Sequence, residues 1–184
     1  MLPSGASYLN INIVGTLGNP VPALTSAADG IAWMENANRG FVTDAGTRGR
    51  FAELLRALAA GTGPQVYHCT GGKDRTGWAT AVLLSLVGVP QSVVVQDYML
   101  TNTYSAASIQ SSHQRMVDAY GRAFADAYLP VVLVRESYLL AGLDQAAASY
   151  GSMSGYITYG LGLDVATQAL LRGRFLADVA QVRQ

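Results

Sequence analysis

Apolar residues first recur at short range. Tyr8-Leu9-Asn10-Ile11-Asn12-Ile13-Val14 alternates in part and predicts a strand. Gly15, Gly18, Asn19, Pro20 and Pro22 then make a turn-rich loop. The period lengthens after it. Ser26 and Asp29 are spaced as a capping box and predict a helix to about Asn38, closed by Gly40. Its apolar side carries Ile31, Trp33, Met34 and Ala37. Trp33 is assigned to core or lid packing. Thr43 or Asp44 can cap a second helix over 45–60, on which Phe51, Leu54, Leu55 and Leu58 share a face. Gly61-Thr62-Gly63-Pro64 ends it, and Gln65-Val66-Tyr67-His68 predicts a short central strand.

The next residues break both periods. Cys69-Thr70-Gly71-Gly72-Lys73-Asp74-Arg75-Thr76-Gly77 is short, polar and glycine-bearing, and an apolar helix follows it to about Val87, with Gly88 and Pro90 beyond. Val93-Val94-Val95 favours a strand locally, whereas Ser92 as a cap before Gln96-Asp97-Tyr98-Met99-Leu100 favours a helix. Residues 103–128 are polar, with helical character from about Ser111. Pro130 suits the first turn of a helix over 131–150. A short helix over 152–159 and a turn over 160–163 come next. Asp164 caps a last helix to about Gln181, with Leu170, Leu171, Phe175, Leu176 and Val179 on its buried face.

Composition narrows the chemistry. The 184 residues suffice for one domain with a real core, and half of them are apolar. Mean hydropathy is +0.22, but the longest apolar run, Trp78 to Val89, is too short to span a bilayer. Twelve basic and twelve acidic side chains balance and form no basic tract, which argues against a nucleic-acid partner. One cysteine and two histidines, His68 and His113, make neither an internal disulfide nor a zinc cluster. No metal or cofactor is expected. Met1-Leu2-Pro3-Ser4 lacks the basic and apolar regions of a signal peptide, so a cytoplasmic and a secreted location both stay open.

A strand, a glycine-bearing loop and a helix N-terminus together make an anion cradle. Loop N–H groups and the first turn of a helix favour a thiolate at Cys69, and the same groups suit phosphate oxygens. Gly71 and Gly72 let the backbone turn and approach closely. Arg75 presents a planar fork that grips two oxygens at once. Thr76 can offer its hydroxyl to the sulfur, and the His68 ring can brace the loop through backbone hydrogen bonds.

This run resembles the His-Cys-x5-Arg-Ser/Thr signature of the protein tyrosine phosphatase superfamily. Its interior is closer to a bacterial branch of tyrosine and lipid phosphatases with a His-Cys-x-x-Gly-Lys-Asp-Arg-Thr-Gly loop. The Asp97-Tyr98-Met99-Leu100-Thr101-Asn102 run and the ending from Tyr150 to Leu163 resemble the same branch, so the likeness covers roughly Phe51 onward. It resolves 91–101 as helix. It implies an α/β fold: a tyrosine-phosphatase-like central, mostly parallel sheet flanked by helices, with a helix-rich C-terminal half. It also implies that this single phosphatase domain, residues 1–184, lacks N-terminal family sequence, since no Asp-Leu-Arg strand is found before Cys69.

The implied reaction is phosphomonoester hydrolysis through a phosphocysteine. Cys69 is the nucleophile and Arg75 the transition-state clamp. Thr70, Gly71, Gly72, Lys73 and Thr76 line the phosphate, and His68 supports the loop. The general acid is Asp74, unless Asp74 only buttresses Arg75 or the backbone. Asp44 is the alternative acid, with helix capping as its other role. Lys73 either reaches a second phosphate, as on a phosphoinositide, or is a solvated lysine at a helix N-terminus. His113 and Arg115 read as surface residues rather than a flap, and residues 128–143 could form a movable cover. Substrates are expected to be phosphotyrosine, with phosphoserine, phosphothreonine or phosphoinositides beside it, and stable membrane insertion is not expected. The other readings are an inositol polyphosphate phosphatase, disfavoured by only 12 basic residues, and an inactive phosphate-binding module.

Overall fold

The computed structural model describes residues 5–15 and 20–176, and among these every regular element is a helix. The helices are α1 (Ala27–Thr43), α2 (Ala45–Ala60), α3 (Asp74–Leu86), α4 (Gln91–Tyr104), α5 (Ala106–Tyr120), α6 (Arg122–Val132), α7 (Glu136–Tyr150), α8 (Met153–Gly155) and α9 (Val165–Phe175). A π-helical turn, Tyr156–Gly160, continues α8.

The expected central sheet is absent from the described residues. Residues 7–12 and 64–69 carry no strand pairing. Tyr8 and Leu9 are 66% and 62% exposed, and Val66 is 91% exposed. Apolar β-prone residues set an extended local path, but a strand also needs a neighbour to complete its hydrogen-bond ladder. Here the stabilising contact is a side chain instead: the Tyr67 hydroxyl lies 2.7 Å from Thr80 Oγ1 of α3. The α/β assignment therefore gives way to a helical one.

Helix starts follow local chemistry. Ser26 Oγ accepts from the Asp29 N–H at 3.2 Å, and Asp29 Oδ2 accepts from the Ser26 N–H at 2.9 Å, closing the capping box. Asp44 Oδ1 accepts from the Thr47 N–H, and Asp164 Oδ1 from the Thr167 N–H, both at 2.7 Å. The α1 helix runs through Gly40 to Thr43, past the expected stop, because Phe41 and Val42 are buried at its end. That burial outweighs the ~1 kcal/mol disadvantage of one helical glycine.

The middle of the chain departs further from expectation. Pro130 lies inside α6, and the break comes later, at residues 133–135. The Asn102 amide holds that break open. Its Nδ2 donates to the Val134 carbonyl at 2.8 Å, and its Oδ1 accepts from the Val134 N–H at 2.9 Å. The α5 helix begins at Ala106, not Ser111, and buries no residue of its own. It pairs with α6 through the His113 Nε2–Asp126 Oδ1 contact at 2.8 Å. His113 and Arg115 thus belong to this peripheral hairpin, where Arg115 bonds Ser111 and Ser112. On α9 only Leu171 of the expected apolar face is buried. Leu170, Phe175 and Leu176 are all more than half exposed, while Val179 lies outside the described residues, as do Gly18 and Asn19.

Trp78 of α3 stands at the centre of the core. It is fully buried, with ring centroids 5.6 Å from Tyr156 and 6.3 Å from Phe41. Its Nε1–H donates to the Tyr156 hydroxyl at 3.3 Å, which donates in turn to the Phe41 carbonyl at 3.1 Å. The polar tips of both aromatic residues are thereby satisfied, as burial requires. Gly142 of α7 makes room for the indole, since a Cβ there would lie 2.7 Å from Trp78 Cζ3. Phe51, Leu55 and Leu58 of α2 join the same core, with Leu54 at its margin. This packing fixes α3, whose first turn carries the polar loop.

Candidate active site

The loop of residues 69–73 runs straight into the N-terminus of α3. Gly72 has φ +65°, a left-handed conformation open to glycine at no steric cost. Lys73 is the N-cap, and its carbonyl accepts the first helical bond, from Gly77 N–H at 2.6 Å. Cys69 thus faces the end of a helix whose first N–H groups have no carbonyl partner within the helix.

The thiol is half-buried. Its burial opposes ionisation, but four contacts act the other way: the Thr76 hydroxyl, the Thr76 N–H, the Arg75 guanidinium and the Gly72 N–H. Together they prevail, and the Cys69 pKa lies below the ordinary thiol value. Thr76 Oγ1 is itself buried and has no hydrogen-bond partner at good geometry, the sulfur included. The sulfur is its polar neighbour, which accounts for its effect on the thiolate.

Arg75 lies across the loop, where its Nη2 donates to Thr70 Oγ1 at 3.4 Å. His68 is exposed, and its Nδ1 is 3.2 Å from the Cys69 carbonyl, a brace for the loop in the tautomer that carries the proton there. Gly71 and Gly72 are exposed at the rim.

Asp74, at the first position of α3, has each carboxyl oxygen on a different partner. Oδ2 accepts from Lys73 Nζ at 2.6 Å, and the two side chains are only 15% and 21% exposed. Oδ1 accepts from the Tyr98 hydroxyl of α4 at 3.4 Å. Lys73 is therefore not freely solvated, and its ammonium rests on Asp74. Asp44 is engaged elsewhere. It caps α2, and the Thr47 N–H and hydroxyl together with Arg48 hold its carboxyl below the usual carboxylate range.

Three contacts escape a reading by spacing: Tyr98 on Asp74, Tyr67 on Thr80, and the groove that Gly77 leaves for the Tyr98 ring. The run Asp97-Tyr98-Met99-Leu100-Thr101-Asn102 held the usable signal. It puts Tyr98 and Asn102 one turn apart on one face of α4, and both make polar contacts to other elements.

The site is thus a Cys-x5-Arg loop at a helix N-terminus, with the thiol pKa lowered by its neighbours. A family model described as "Tyrosine phosphatase family" matches residues 2–177, and the chain belongs to that family. A Cupriavidus necator protein, whose name assigns it provisionally to the tyrosine-protein phosphatases, is 38% identical over 131 residues, covering 71% of this chain and 45% of that protein. The triple specificity protein phosphatase PtpB of Mycobacterium tuberculosis is 30% identical over 175 residues, 88% of this chain and 60% of its own length. A tyrosine-protein phosphatase of Nostoc commune is 35% identical over 75 residues, 40% of this chain and 26% of the relative. The chain thus spans about half the length of the first two relatives.

Proposed function

We propose that the chain is a cysteine-dependent phosphomonoester hydrolase acting on phosphotyrosine. The observation that carries this reading is the Cys69 thiol, pulled below its ordinary pKa by Thr76, Arg75 and Gly72 at the N-terminus of α3. Cys69 Sγ attacks phosphorus in line, an S–P bond forms, and the P–O bond to the leaving group breaks. Arg75 and the N–H groups of residues 70–76 carry the charge of the equatorial oxygens. The leaving oxygen takes its proton from Asp74. Water then attacks the phosphocysteine, giving a proton back to Asp74, and the S–P bond breaks as Thr76 stabilises the departing thiolate.

Asp74 is preferred to Asp44 as the acid. Asp44 is committed to the cap of α2, where the Thr47 N–H and hydroxyl and Arg48 hold its carboxyl below the usual carboxylate range. Asp74 sits at the mouth of the loop between two donors. Extension to phosphoserine, phosphothreonine and phosphoinositides rests on Lys73. Its ammonium would leave Asp74 to meet a second phosphate, and the name of the mycobacterial relative is in keeping with a broad substrate range.

The test is hydrolysis of p-nitrophenyl phosphate across pH with EDTA present, for the wild-type chain, Cys69→Ser and Asp74→Asn. EDTA-resistant turnover that Cys69→Ser abolishes, and a basic limb that Asp74→Asn removes, are expected. Wild-type turnover that survives Cys69→Ser would sink the mechanism. Phosphate binding without turnover would identify a recognition module instead.

A further inference from the structure

The Asp74 carboxyl has two holders of different kinds. Lys73 can only donate, and its charge attraction to Asp74 is lost when the carboxyl takes up a proton. Tyr98 is neutral and can donate to the carboxylate or accept from the acid. Its hydroxyl is the one that survives a change of protonation state.

Tyr98 is also placed with little freedom. It is 4% exposed, and its ring rests directly on the first turn of α3. A Cβ at Gly77 would lie 2.7 Å from Tyr98 Cδ2 and Cε2. Asp74 and Gly77 are three residues apart and share a helix face, so the ring that fills the space over Gly77 delivers its hydroxyl to Asp74 Oδ1 at 3.4 Å. This gives the last glycine of the Gly-Lys-Asp-Arg-Thr-Gly run a physical reason that phosphate binding does not supply.

We propose that Tyr98 is a positioning residue for Asp74, holding the carboxyl at the loop mouth while Lys73 moves between Asp74 and substrate. The proposal rests on the reading of Asp74 as general acid. Burial pushes the Tyr98 hydroxyl far above its ordinary pKa, and the neighbouring Asp74 charge adds to this, so the hydroxyl stays protonated through the working range. The other ionisable groups near this contact are Tyr138 of α7, which acts on Tyr98, and Arg135 and the α1 residue Glu35, which act with Asp74 on Tyr138.

The test compares two leaving groups. Phenyl phosphate depends strongly on protonation of its leaving oxygen, and p-nitrophenyl phosphate, with the more acidic phenol, depends on it less. Tyr98→Phe keeps the ring and removes the hydroxyl. Its expected effect is a loss of about tenfold in kcat on phenyl phosphate and under about threefold on p-nitrophenyl phosphate, the size of one hydrogen bond to a charged group. Inhibition by inorganic phosphate is expected to stay unchanged. Gly77→Ala, which displaces the same ring without touching the hydroxyl, is expected to show the same selectivity. The double variant Tyr98→Phe, Asp74→Asn is expected to be no slower on phenyl phosphate than Asp74→Asn alone.

A selective loss in Asp74→Asn but an equal loss on both substrates, or none, in Tyr98→Phe would overturn the role of Tyr98 and leave the acid intact. Absence of selectivity in Asp74→Asn itself would remove the acid reading, and the Tyr98 proposal with it.

Discussion

Within seven residues the chain passes from Gly72, exposed and at φ +65°, to Trp78, fully buried between Phe41, Tyr156 and Gly142. The same helix serves both ends. Its apolar length is fixed by packing at many points, whereas its first turn is fixed by a few polar contacts: Lys73 and Tyr98 on Asp74, Thr70 on Arg75, and Thr76 on the thiol. Packing supplies rigidity, and on the proposed mechanism the polar contacts supply reactivity. The two should therefore separate under mutation.

The largest separation is expected from Cys69→Ser. Turnover of p-nitrophenyl phosphate should fall to background while the melting temperature stays close to that of the wild type, because a half-buried rim residue contributes little packing. A Cys69→Ser chain that unfolds would merge the two regions and break the contrast. Trp78→Ala is the converse. It should cost about 3–5 kcal/mol in denaturant unfolding, in the range of large-to-small changes at fully buried aromatics. Gly142→Ala sharpens the same side. A Cβ 2.7 Å from the indole and 3.3 Å from the Asn38 carbonyl should cost about 1–3 kcal/mol, with activity lost only as the fold is lost.

On the reactive side, Thr76→Val should raise the pH at which iodoacetamide alkylates Cys69. The hydroxyl favours the thiolate, so without it the thiol keeps its proton to higher pH. An unchanged alkylation profile would show that Thr76 is only a packing residue. The smallest effect is expected from Asp44→Asn. Asparagine caps a helix about as well as aspartate, so both stability and the pH–rate profile should hold. A lost basic limb in that variant would transfer the acid role to Asp44.

The parts legible in the sequence are those with local causes. Ser26 with Asp29, Asp44 and Asp164 mark helix starts because the acceptor and the N–H it meets lie three residues apart. The grouping of the loop residues is legible for the same reason, since Cys69, Gly72, Arg75 and Thr76 fall within eight residues. The sheet was misjudged because residues 65–68 specify an extended path but not a partner for it. The α6–α7 break was missed because Pro130 is tolerated inside a helix end and the true stop depends on Asn102, 32 residues away from Val134. Tyr98 was missed as a site residue because it stands 24 residues from Asp74. The membrane expectation touches only helices: no helix among the described residues is long and apolar enough to cross a bilayer.

The Trp78–Tyr156–Phe41 chain of hydrogen bonds has a bearing on how the protein comes into being. Its links join residues 78 and 115 positions apart. Such long loops close slowly, because their entropy is lost before the contacts that reward it can form. On a ribosome, α1 to α3 emerge well before Tyr156, and until it arrives the indole has no hydroxyl partner. The reactive loop is therefore made early and given its rigid backing late. Trp78 fluorescence should report that final step, its buried signal appearing only in chains extended past Tyr156.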